Sequence, residues 1–409
     1  MNPPKRPFHE VAEAIKRFGP AFRARGNVPV HHLRTLSALE RCRTAALGGH
    51  LDACTACGVV SISYNSCRNR HCPKCGGLER ELWIQARCQE LLPIRYYHVV
   101  FTLPAQFNDW CMHNDAFCYD LLFKAAWHTL RTFAKDNRLL GAKTGATMVL
   151  HTWGQNLSLH PHVHCIVPGG GLTAQGRWQQ PKKAGKRGFL FPVRAMSQVF
   201  KAFYLKHFMA VWNKGLLTIP PDAPTGYPEA ARWRQARWSQ DWVVYAKAPF
   251  NGPQTVIEYL GRYTHKVAIS NHRLVDITPQ QVIFRYKDYR REAKVGLMVL
   301  DGVEFLRRFC LHILPPGFRR LRHYGILANF HKAHALQAAR SSLGVSEELM
   351  PPKLDKATLK AGLLARWFDH RTTFCPHCGA HNTIVRMLLA PNSARAPPIR
   401  SAPVSNITH

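Results

Sequence analysis

Residues 147–167 read TMVLHTWGQNLSLHPHVHCIV, and this stretch decides the fold. Two short runs rich in apolar and β-branched residues, 147–153 and 162–167, are separated by polar residues, and Pro168 with three following glycines ends the second run. Such runs with turn residues between them predict the two strands of a β-hairpin. We therefore expect antiparallel strand pairing in the middle of the chain.

Three histidines alternate along the second of these strands, at His160, His162 and His164. Residues two apart on a strand point to the same face of a sheet, so His162 and His164 can direct their imidazoles at one divalent cation. A single histidine would more often be an ordinary buried polar residue, but three in register favour a metal site. The pattern does not fix the metal, and a three-histidine zinc site is one alternative.

The flanking sequence alternates between strand-like and helix-like segments. Residues 96–103 (YYHVVFTL) are rich in β-branched and aromatic residues and end before a proline, which predicts a strand. Alternating apolar residues over 267–286 predict two more strands, and the chain beyond Met298 is expected to be helical and basic. The fold class is therefore α+β. The remaining segments predict helices at 114–140, 193–214 and 254–265 and a strand at 242–246.

The composition indicates a globular protein that binds nucleic acid. The 409 residues include 56 Lys and Arg against 24 Asp and Glu, a formal net charge of +32. A hydrophobic fraction of 46% is typical of a folded chain, so the charge lies on a folded surface and favours a polyanionic partner. No apolar run has membrane-spanning length, and the first ten residues lack the apolar core of a signal peptide. We therefore expect a cytoplasmic protein with no membrane partner.

Two Cys-x-x-Cys motifs predict a zinc site in the N-terminal part of the chain. Cys54 and Cys57 form the first pair, and Cys72 and Cys75 form the second. In a reducing compartment, four thiolates at this spacing suit one tetrahedral zinc ion, as in zinc ribbons. Nearby residues that could replace a thiolate or form part of a second site are His50, Cys67 and His71.

Two further features bear on this zinc site. Arg68 and Arg70 lie between the two cysteine pairs, which slightly favours a DNA-contacting zinc domain over a purely structural one. Cys375-Pro-His-Cys378 is a third motif of the same kind, but no second cysteine pair follows it. Taken alone, it is a half-site that a nearby histidine could complete, or the remnant of a site.

A pair of tyrosines lies in the segment 258–266, EYLGRYTHK. Tyr259 and Tyr263 are four residues apart and therefore share one face of a helix. A phenol has a pKa of about 10, so a nucleophilic tyrosine needs help from nearby cations. An aromatic pair at this spacing more often packs in a core, and it suggests catalysis only together with the histidine strand. The neighbouring cations are Arg262, His265 and Lys266.

The segments HPHVHCIVPGGG and YLGRYTHKVAISNHRL follow a cysteine-rich N-terminal part in that order. In this arrangement the chain resembles the two-tyrosine HUH transposases of the insertion sequence 91 family, and FRRLRHYGILAN adds to the similarity. The resemblance extends over residues 50–343. It implies an endonuclease domain with a central antiparallel sheet flanked by helices, which nicks and transfers single-stranded DNA in rolling-circle-like transposition.

The resemblance also implies roles for individual residues. His162 and His164 match the metal-binding histidine pair, and Tyr259 and Tyr263 match the nucleophilic tyrosines. The metal would be Mg²⁺ or Mn²⁺, in addition to Zn²⁺ at the cysteines, and the partner would be single-stranded or hairpin DNA. The third ligand of the catalytic metal stays open; His160 is slightly favoured because it shares the strand face. The other candidates are Gln155 and His265.

On this interpretation the chain divides into three parts. Residues 1–93 are expected to form the zinc-binding domain, 94–345 the two-tyrosine nickase domain, and 346–409 a basic, partly disordered C-terminal region with the cysteine half-site. Arg262 and Lys266 would contact DNA together with Arg68 and Arg70. Two rival hypotheses are a non-catalytic zinc-ribbon DNA-binding protein and a tyrosine recombinase, which activates its tyrosine without a metal.

Overall fold

The structure is a computed structural model, and the predicted α+β class is confirmed by an antiparallel five-stranded sheet flanked by helices. Short 3-10 turns occur at Ala45–Leu47, Ala105–Phe107 and Asn271–Arg273. The described residues are 7–182, 190–224, 226–247, 255–256, 261, 266–288, 292–345, 354–372, 375, 377–380 and 384–391.

The helices and strands are numbered here in chain order over the described residues. The helices are α1 (Val11–Ala24), α2 (Val30–Glu40), α3 (Gly77–Cys88), α4 (Asn108–His113), α5 (Asp115–Lys135), α6 (Val193–Trp212), α7 (Tyr227–Ser239), α8 (Gly302–Cys310), α9 (Lys332–Ser342) and α10 (Lys356–Thr372). The strands are β1 (Gly49–Cys54), β2 (Val60–Tyr64), β3 (Tyr96–Thr102), β4 (Gly145–Trp153), β5 (Leu159–Pro168), β6 (Gly171–Leu172), β7 (Trp178–Gln179), β8 (Val244–Ala246), β9 (Leu274–Ile277), β10 (Gln281–Asp288), β11 (Lys294–Asp301), β12 (Leu321–Gly325) and β13 (Ile384–Leu389).

The central sheet has the strand order β12-β4-β5-β3-β8, and each neighbouring pair is antiparallel. The predicted hairpin is formed by β4 and β5, with His151 opposite His162 and Val149 opposite His164. A bulge between His151 and Trp153 shifts the register near the turn. On its other side β5 pairs with β3, so the histidine strand lies in the middle of the sheet.

The two faces of the sheet differ because side chains alternate along each strand. One face carries Phe101, Met148 and Val163, which are buried in a large apolar core together with residues of α5 and α6, including Phe123 and Phe200. The opposite face carries the alternating histidines of β5. The apolar core therefore fixes which side of the sheet presents the imidazoles.

A second core crosses the predicted boundary at residue 93. It combines Phe18 of α1 and Leu36 of α2 with Phe284 of β10 and Phe305 of α8. The strands β9, β10 and β11 form a separate three-stranded sheet beneath these helices. The amphipathic helix α1 packs on α2 within residues 1–93 and also buries its apolar face against α8, a much later segment of the chain.

A third sheet joins the N-terminal and C-terminal parts of the chain. It has the order β13-β1-β2, and β13 pairs with the whole of β1, from Gly49 opposite Leu389 to Cys54 opposite Ile384. The predicted C-terminal region 346–409 is therefore partly built into the zinc-binding part. Within that region, residues 392–409, which were expected to be disordered, lie outside the described residues.

The expectation of a helical chain beyond Met298 is only partly correct. Asp301 caps α8 by accepting hydrogen bonds from the backbone N–H groups of Val303 and Glu304. Pro315, Pro316 and Gly317 then prevent a longer helix. The basic residues that follow form β12, an edge strand of the central sheet paired with β4. In the described part of the chain, no helix is both long and apolar enough to cross a membrane.

The contact between α1 and α8 gives a test of the second core. Gly302 begins α8, and a Cβ atom there would lie 2.2 Å from the ring of Phe18. We expect Gly302→Ala to lower the free energy of unfolding by about 1–3 kcal/mol, because a packed ring or helix must move. Equilibrium denaturation would measure the change.

Gly362→Ala in α10 is the matched control, because nothing lies within 4 Å of its Cβ position. In a helix interior, alanine is favoured over glycine by about 0.5–1 kcal/mol, so this variant should be no less stable than the parent. Equal stability of the Gly302→Ala variant and the parent would contradict the packing described here.

Candidate functional site

Three histidines converge on the face of the central sheet that lies opposite the large apolar core. His151 of β4 meets His162 and His164 of β5, and their ligand nitrogens all lie within 4.8 Å of one another. The ring centroids are 5.5 Å apart for His151 and His162, 4.6 Å for His151 and His164, and 4.9 Å for His162 and His164. This group, called the histidine cluster below, has the donor set and spacing to bind one divalent cation.

Hydrogen bonds orient two of these rings. The Nδ1–H of His162 donates to the backbone carbonyl of His160 at 2.7 Å. Nδ1 of His164 shares a hydrogen bond with Nε2 of His98 on β3 at 2.9 Å, and the two rings are stacked. With Nδ1 engaged in both residues, Nε2 is the nitrogen through which each would bind an ion. Such outer contacts commonly fix the tautomer of a metal-binding histidine.

The surroundings keep these imidazoles neutral. Burial, together with the neighbouring His160 and Lys266, lowers the pKa of His162 to about 3. Burial also lowers the pKa of His164 well below its usual value and that of His98 to about 3. A neutral imidazole is the form that donates a lone pair to a metal ion. The protein environment therefore favours the ligand form of the site.

The third member of the cluster differs from all three sequence candidates. His160, which was favoured, is exposed, and its ring lies 5.1 Å from that of His162, outside the cluster. Gln155 lies in the turn between β4 and β5, where its carbonyl accepts a hydrogen bond from Arg273. His265 lies outside the described residues. Because His151 faces His162 only after the register shift, counting residues back from the turn would have pointed to Leu150 instead.

The cysteines group differently from the predicted single site. Cys72 and Cys75 lie with Cys42 and Cys67, and the measured Sγ–Sγ distances in this N-terminal cysteine cluster are 3.4 to 3.7 Å. The neighbouring Cys72 thiol lowers the pKa of Cys42 to about 5, so one member of the cluster loses its proton readily. Cys42 lies 25 residues before Cys67, at the end of a helical region, and no short motif marks it as a ligand.

Cys54 and Cys57 belong to a second group. They lie with Cys375 and Cys378, with Sγ–Sγ distances of 3.8 Å for Cys54 and Cys378 and 3.7 Å for Cys57 and Cys375. We call these four residues the composite cysteine cluster. Cys54 and Cys57 therefore do not lie with Cys72 and Cys75 as predicted, because the pairing of β1 with β13 brings the C-terminal motif to the first cysteine pair.

Of the possible extra zinc ligands, Cys67 alone joins a cysteine cluster among the described residues. His50 lies on β1, where it faces Ser63 and Leu388. His71 precedes Cys72, and its Nε2 accepts a hydrogen bond from Arg70 at 3.3 Å. Burial lowers the pKa of His71 to about 3.

The predicted DNA-binding residues have different surroundings. Arg68 is exposed, with φ of 52°. Arg70 donates to the backbone carbonyls of Leu314, Pro315 and Phe318, so it ties the N-terminal part to the segment before β12. Lys266 lies close enough to His162 and His164 for its charge to lower the pKa of both, and its own pKa is lowered by burial. Arg262 lies outside the described residues.

A basic groove runs along strand β12. Two cavities of about 930 and 820 Å³ share Trp83, Phe318, Arg319 and Leu321 in their walls. Strand β12 pairs with β4, the strand that carries His151, so the groove lies beside a strand of the histidine cluster. The cationic side chains that line the groove are Arg68, Arg70, Arg87, Arg319, Arg320, Arg322, Lys332 and Lys360.

The described residues within and just before the tyrosine segment lie near the histidine-bearing face. Val256 is buried in a small cluster with Tyr96 and Ile166, and Ile84 of α3 packs against it. A Cβ atom on Gly261 would lie 2.3 Å from Ile84, which shows how closely this backbone approaches α3. Tyr259 and Tyr263 lie outside the described residues.

Comparison with known proteins yields two family models and two close relatives. Residues 145–334, which begin with β4, match the family described as "Putative transposase", and residues 14–103 match the "Transposase zinc-binding domain". "Putative transposase y4qJ" of Sinorhizobium fredii (strain NBRC 101917 / NGR234) is 47% identical over 341 residues, 82% of this chain and 85% of that protein. "Transposase for insertion sequence element IS801" of Pseudomonas savastanoi pv. phaseolicola is 31% identical over 359 residues, 85% of this chain and 82% of that protein. No solved structure is significantly similar.

The histidine cluster predicts that His151, and not His160, is the third metal ligand beside His162 and His164. We expect His151→Ala to weaken Mn²⁺ binding by at least about tenfold, since loss of even an outer partner of a metal ligand costs about 10- to 100-fold. His160→Ala should leave the affinity nearly unchanged, because only its backbone carbonyl supports His162. Isothermal titration with Mn²⁺ compares the two variants. A larger loss for His160→Ala would favour the original choice of third ligand.

Proposed function

The chain belongs to the insertion sequence 91 family of transposases, and from this premise we propose that it cuts and rejoins single-stranded DNA by metal-assisted tyrosine attack. The observation that carries the proposal is the histidine cluster. Three imidazoles converge on one face of a sheet whose other face is a packed core, and burial keeps those of His162 and His164 neutral. DNA binding alone does not require such an arrangement, so the cluster favours catalysis over a purely architectural role.

The ligand chemistry of the cluster suits Mn²⁺ better than Mg²⁺. Mg²⁺ prefers oxygen ligands, whereas imidazole nitrogen is a good ligand for later divalent metals. His151, His162 and His164 would hold the ion, with His98 and the carbonyl of His160 fixing two of the rings. When bound, the ion would polarise the scissile phosphate and make phosphorus more electrophilic.

The tyrosines supply the nucleophile in this proposal. The phenolic oxygen of Tyr259 or Tyr263 forms a bond to phosphorus, and the bond from phosphorus to the 3′ oxygen breaks. The phenol loses its proton and the departing 3′ oxygen gains one, so the products are a 5′-phosphotyrosine and a 3′ hydroxyl. The covalent link retains the energy of the phosphodiester, and a second 3′ hydroxyl can reverse the step at a new junction.

Lys266 is placed to assist this chemistry. It is the last residue of the tyrosine segment, and its positive charge acts on His162 and His164. A cation beside the reacting phosphate stabilises negative charge that develops on the phosphate oxygens and on the phenolate. We assign Lys266 this electrostatic role, in line with its predicted contact with DNA.

The basic groove would hold the DNA strand. Exposed cations on its walls can neutralise phosphates, and Trp83 offers a ring on which a base could stack. Several of the arginines already have protein partners; Arg322, for example, pairs with Asp120 at 2.6 Å. The cations with the most accessible charge are Arg68, Arg319 and Lys360.

The N-terminal cysteine cluster would bind zinc and position α3. Helix α3 begins at Gly77, two residues after Cys75. Its residue Ile84 packs against the small cluster that contains Val256, and it lies beside Gly261 of the tyrosine segment. A structural zinc ion at Cys42, Cys67, Cys72 and Cys75 would therefore support the tyrosine segment through α3, in addition to any contact with DNA.

Covalent trapping on single-stranded DNA tests the proposed chemistry. The Tyr259→Phe, Tyr263→Phe double variant should form no protein–DNA adduct, because phenylalanine has no nucleophilic oxygen. Tyr286→Phe is the control, since Tyr286 lies on β10 in another sheet. An end-labelled oligonucleotide, incubated with Mn²⁺ and separated on a denaturing gel, measures the adduct.

The same assay separates the rival hypotheses. Undiminished trapping in the double variant would overturn the tyrosine assignment. Cleavage that survives EDTA, with zinc content shown to be unchanged, would favour a metal-independent recombinase. DNA binding without any adduct in the parent protein would favour the non-catalytic zinc-ribbon alternative.

Charge removal in the groove tests the DNA path. The triple variant of Arg68, Arg319 and Lys360 to alanine should bind single-stranded DNA more weakly and lower the slope of log affinity against log salt by about 2, at about 0.7 per phosphate contact. The control is a second triple variant, in which three exposed cations are replaced by alanine on the side of the central sheet where α6 packs. A similar slope change in both triple variants would show that the groove has no special role. The control residues are Lys214, Arg232 and Arg234.

A further inference from the structure

We propose that the composite cysteine cluster is a second zinc site, which fastens the C-terminal segment to the N-terminal zinc-binding part. It is formed by Cys54 and Cys57 together with Cys375 and Cys378. The family match for the zinc-binding domain covers residues 14–103 and therefore contains only half of these ligands. The inference does not depend on the proposed DNA chemistry, because it rests on other residues.

The sulfur geometry fits a tetrahedral zinc ion. A Zn–S distance of about 2.3 Å in a regular tetrahedron requires sulfur atoms about 3.8 Å apart. Cys54 and Cys378 are 3.8 Å apart, and Cys57 and Cys375 are 3.7 Å apart. A disulfide would need about 2.05 Å between its sulfur atoms, and none of these four described cysteines forms one. The atoms are thus too far apart for covalent pairing and well spaced for one ion.

The two Cys-x-x-Cys motifs have the same backbone structure. The N–H of Gly58 donates to the carbonyl of Cys54, and the N–H of Gly379 donates to that of Cys375, each at 2.9 Å. Gly58 has φ of 71° and Gly379 has φ of 72°, where a side chain would be strained. Each motif therefore ends in the same tight turn.

The two Cys-x-x-Cys motifs also share a second backbone hydrogen bond. Cys54 N–H donates to the carbonyl of Val59, and Cys375 N–H donates to that of Ala380, again at 2.9 Å each. Two matching turns that face each other are the arrangement by which zinc ribbons present four thiolates to one ion. The match in backbone geometry is independent of the sulfur distances.

Strand pairing holds the two motifs together. The six residue pairs between β1 and β13 run from Gly49 opposite Leu389 to Cys54 opposite Ile384. The first motif follows β1 directly, and the second precedes β13 by a few residues. Antiparallel pairing thus brings both motifs to the same end of the small sheet, where their sulfurs meet.

The ligand type selects the metal. Four thiolates are typical ligands of structural zinc sites, whereas thiolate sulfur is a poor ligand for the harder ions Mg²⁺ and Mn²⁺. The composite cluster and the histidine cluster should therefore be occupied by different metals. The four sulfurs leave no position for water or substrate, so this ion would be structural.

The proposed ion would fasten a long loop of the chain. The paired cysteines are separated by 318 and 324 residues, a span that contains the central sheet and the histidine cluster. The C-terminal segment also carries α10, which packs on α3 and brings Lys360 to the basic groove. Lys356 lies 3.5 Å from Glu79 of α3, an exposed pair that contributes little by itself. The zinc site would thus reinforce the β1–β13 pairing and the packing of α10 on α3, which keep α10 beside the groove.

Metal content tests the proposal directly. The purified full chain should contain two zinc ions, and the Cys375→Ser, Cys378→Ser double variant should contain one. Cys88→Ser is the control, because this cysteine belongs to neither cluster and should leave two zinc ions in place. Atomic emission spectrometry gives the zinc content. Two zinc ions in the double variant, or one in the parent protein, would overturn the proposal.

Two further measurements keep the proposal testable if the double variant does not fold. X-ray absorption at the zinc edge of the parent protein should show about four sulfur neighbours per zinc at about 2.3 Å, with zinc present at two per chain. Hydrogen exchange should show that α10 and β13 lose protection in the double variant while β4 and β5 keep theirs. Substantial nitrogen coordination in the absorption spectrum, or unchanged exchange in α10 and β13, would contradict the second site.

Discussion

The candidate site depends on one irregular antiparallel pairing, that between β4 and β5. The bulge after His151 places this residue, and not Leu150, opposite His162. Side-chain alternation then directs the imidazoles to one face, while Leu150, Val163 and Cys165 enter the core on the other. A slip of one residue would exchange the two faces, which the packed core against α5 and α6 does not permit. The same apolar packing that stabilises the sheet therefore fixes the geometry of the cluster.

Helix α3 connects the parts of the molecule that the proposed function requires. It begins just after the N-terminal cysteine cluster, lines the basic groove with Trp83 and Arg87, and contacts the tyrosine segment through Ile84. The cation of Arg87 lies 5.7 Å from the centre of the Trp83 ring, so these two groove residues also support each other. A zinc-binding part placed in this way is integrated with the histidine-bearing face of the central sheet. Residues of the zinc-binding part pack against residues more than 150 positions later in the sequence. For this reason the predicted boundary at residue 93 does not divide the molecule into separate cores.

Much of the fold was accessible to sequence reasoning where the local pattern was strong. The β-branched run 96–103 became β3, the two runs around the polar turn became β4 and β5, and the long periodic segments became α5 and α6. The basic stretch after Pro316 was expected to be helical but pairs as β12, because the unpaired edge of β4 offers backbone hydrogen bonds that local propensity does not reveal. The histidine pair on β5 was identifiable from its spacing. Its partner His151 was not, because a bulge changes the register and leaves no mark in the sequence.

The sequence by itself determined the residue types available for chemistry: alternating histidines, four-residue spacing of tyrosines, Cys-x-x-Cys motifs and a large surplus of positive charge. These features depend on local periodicity, which the backbone geometry of strands, helices and tight turns imposes directly. Only the tertiary structure decided which of these residues meet. Cys54 and Cys57 join Cys375 and Cys378, and Cys72 and Cys75 join Cys42 and Cys67, because strand pairing and core packing select partners across hundreds of residues. Which distant residues form one set of ligands depends on burial and on strand register. The spacing of residues within a motif determines neither of these.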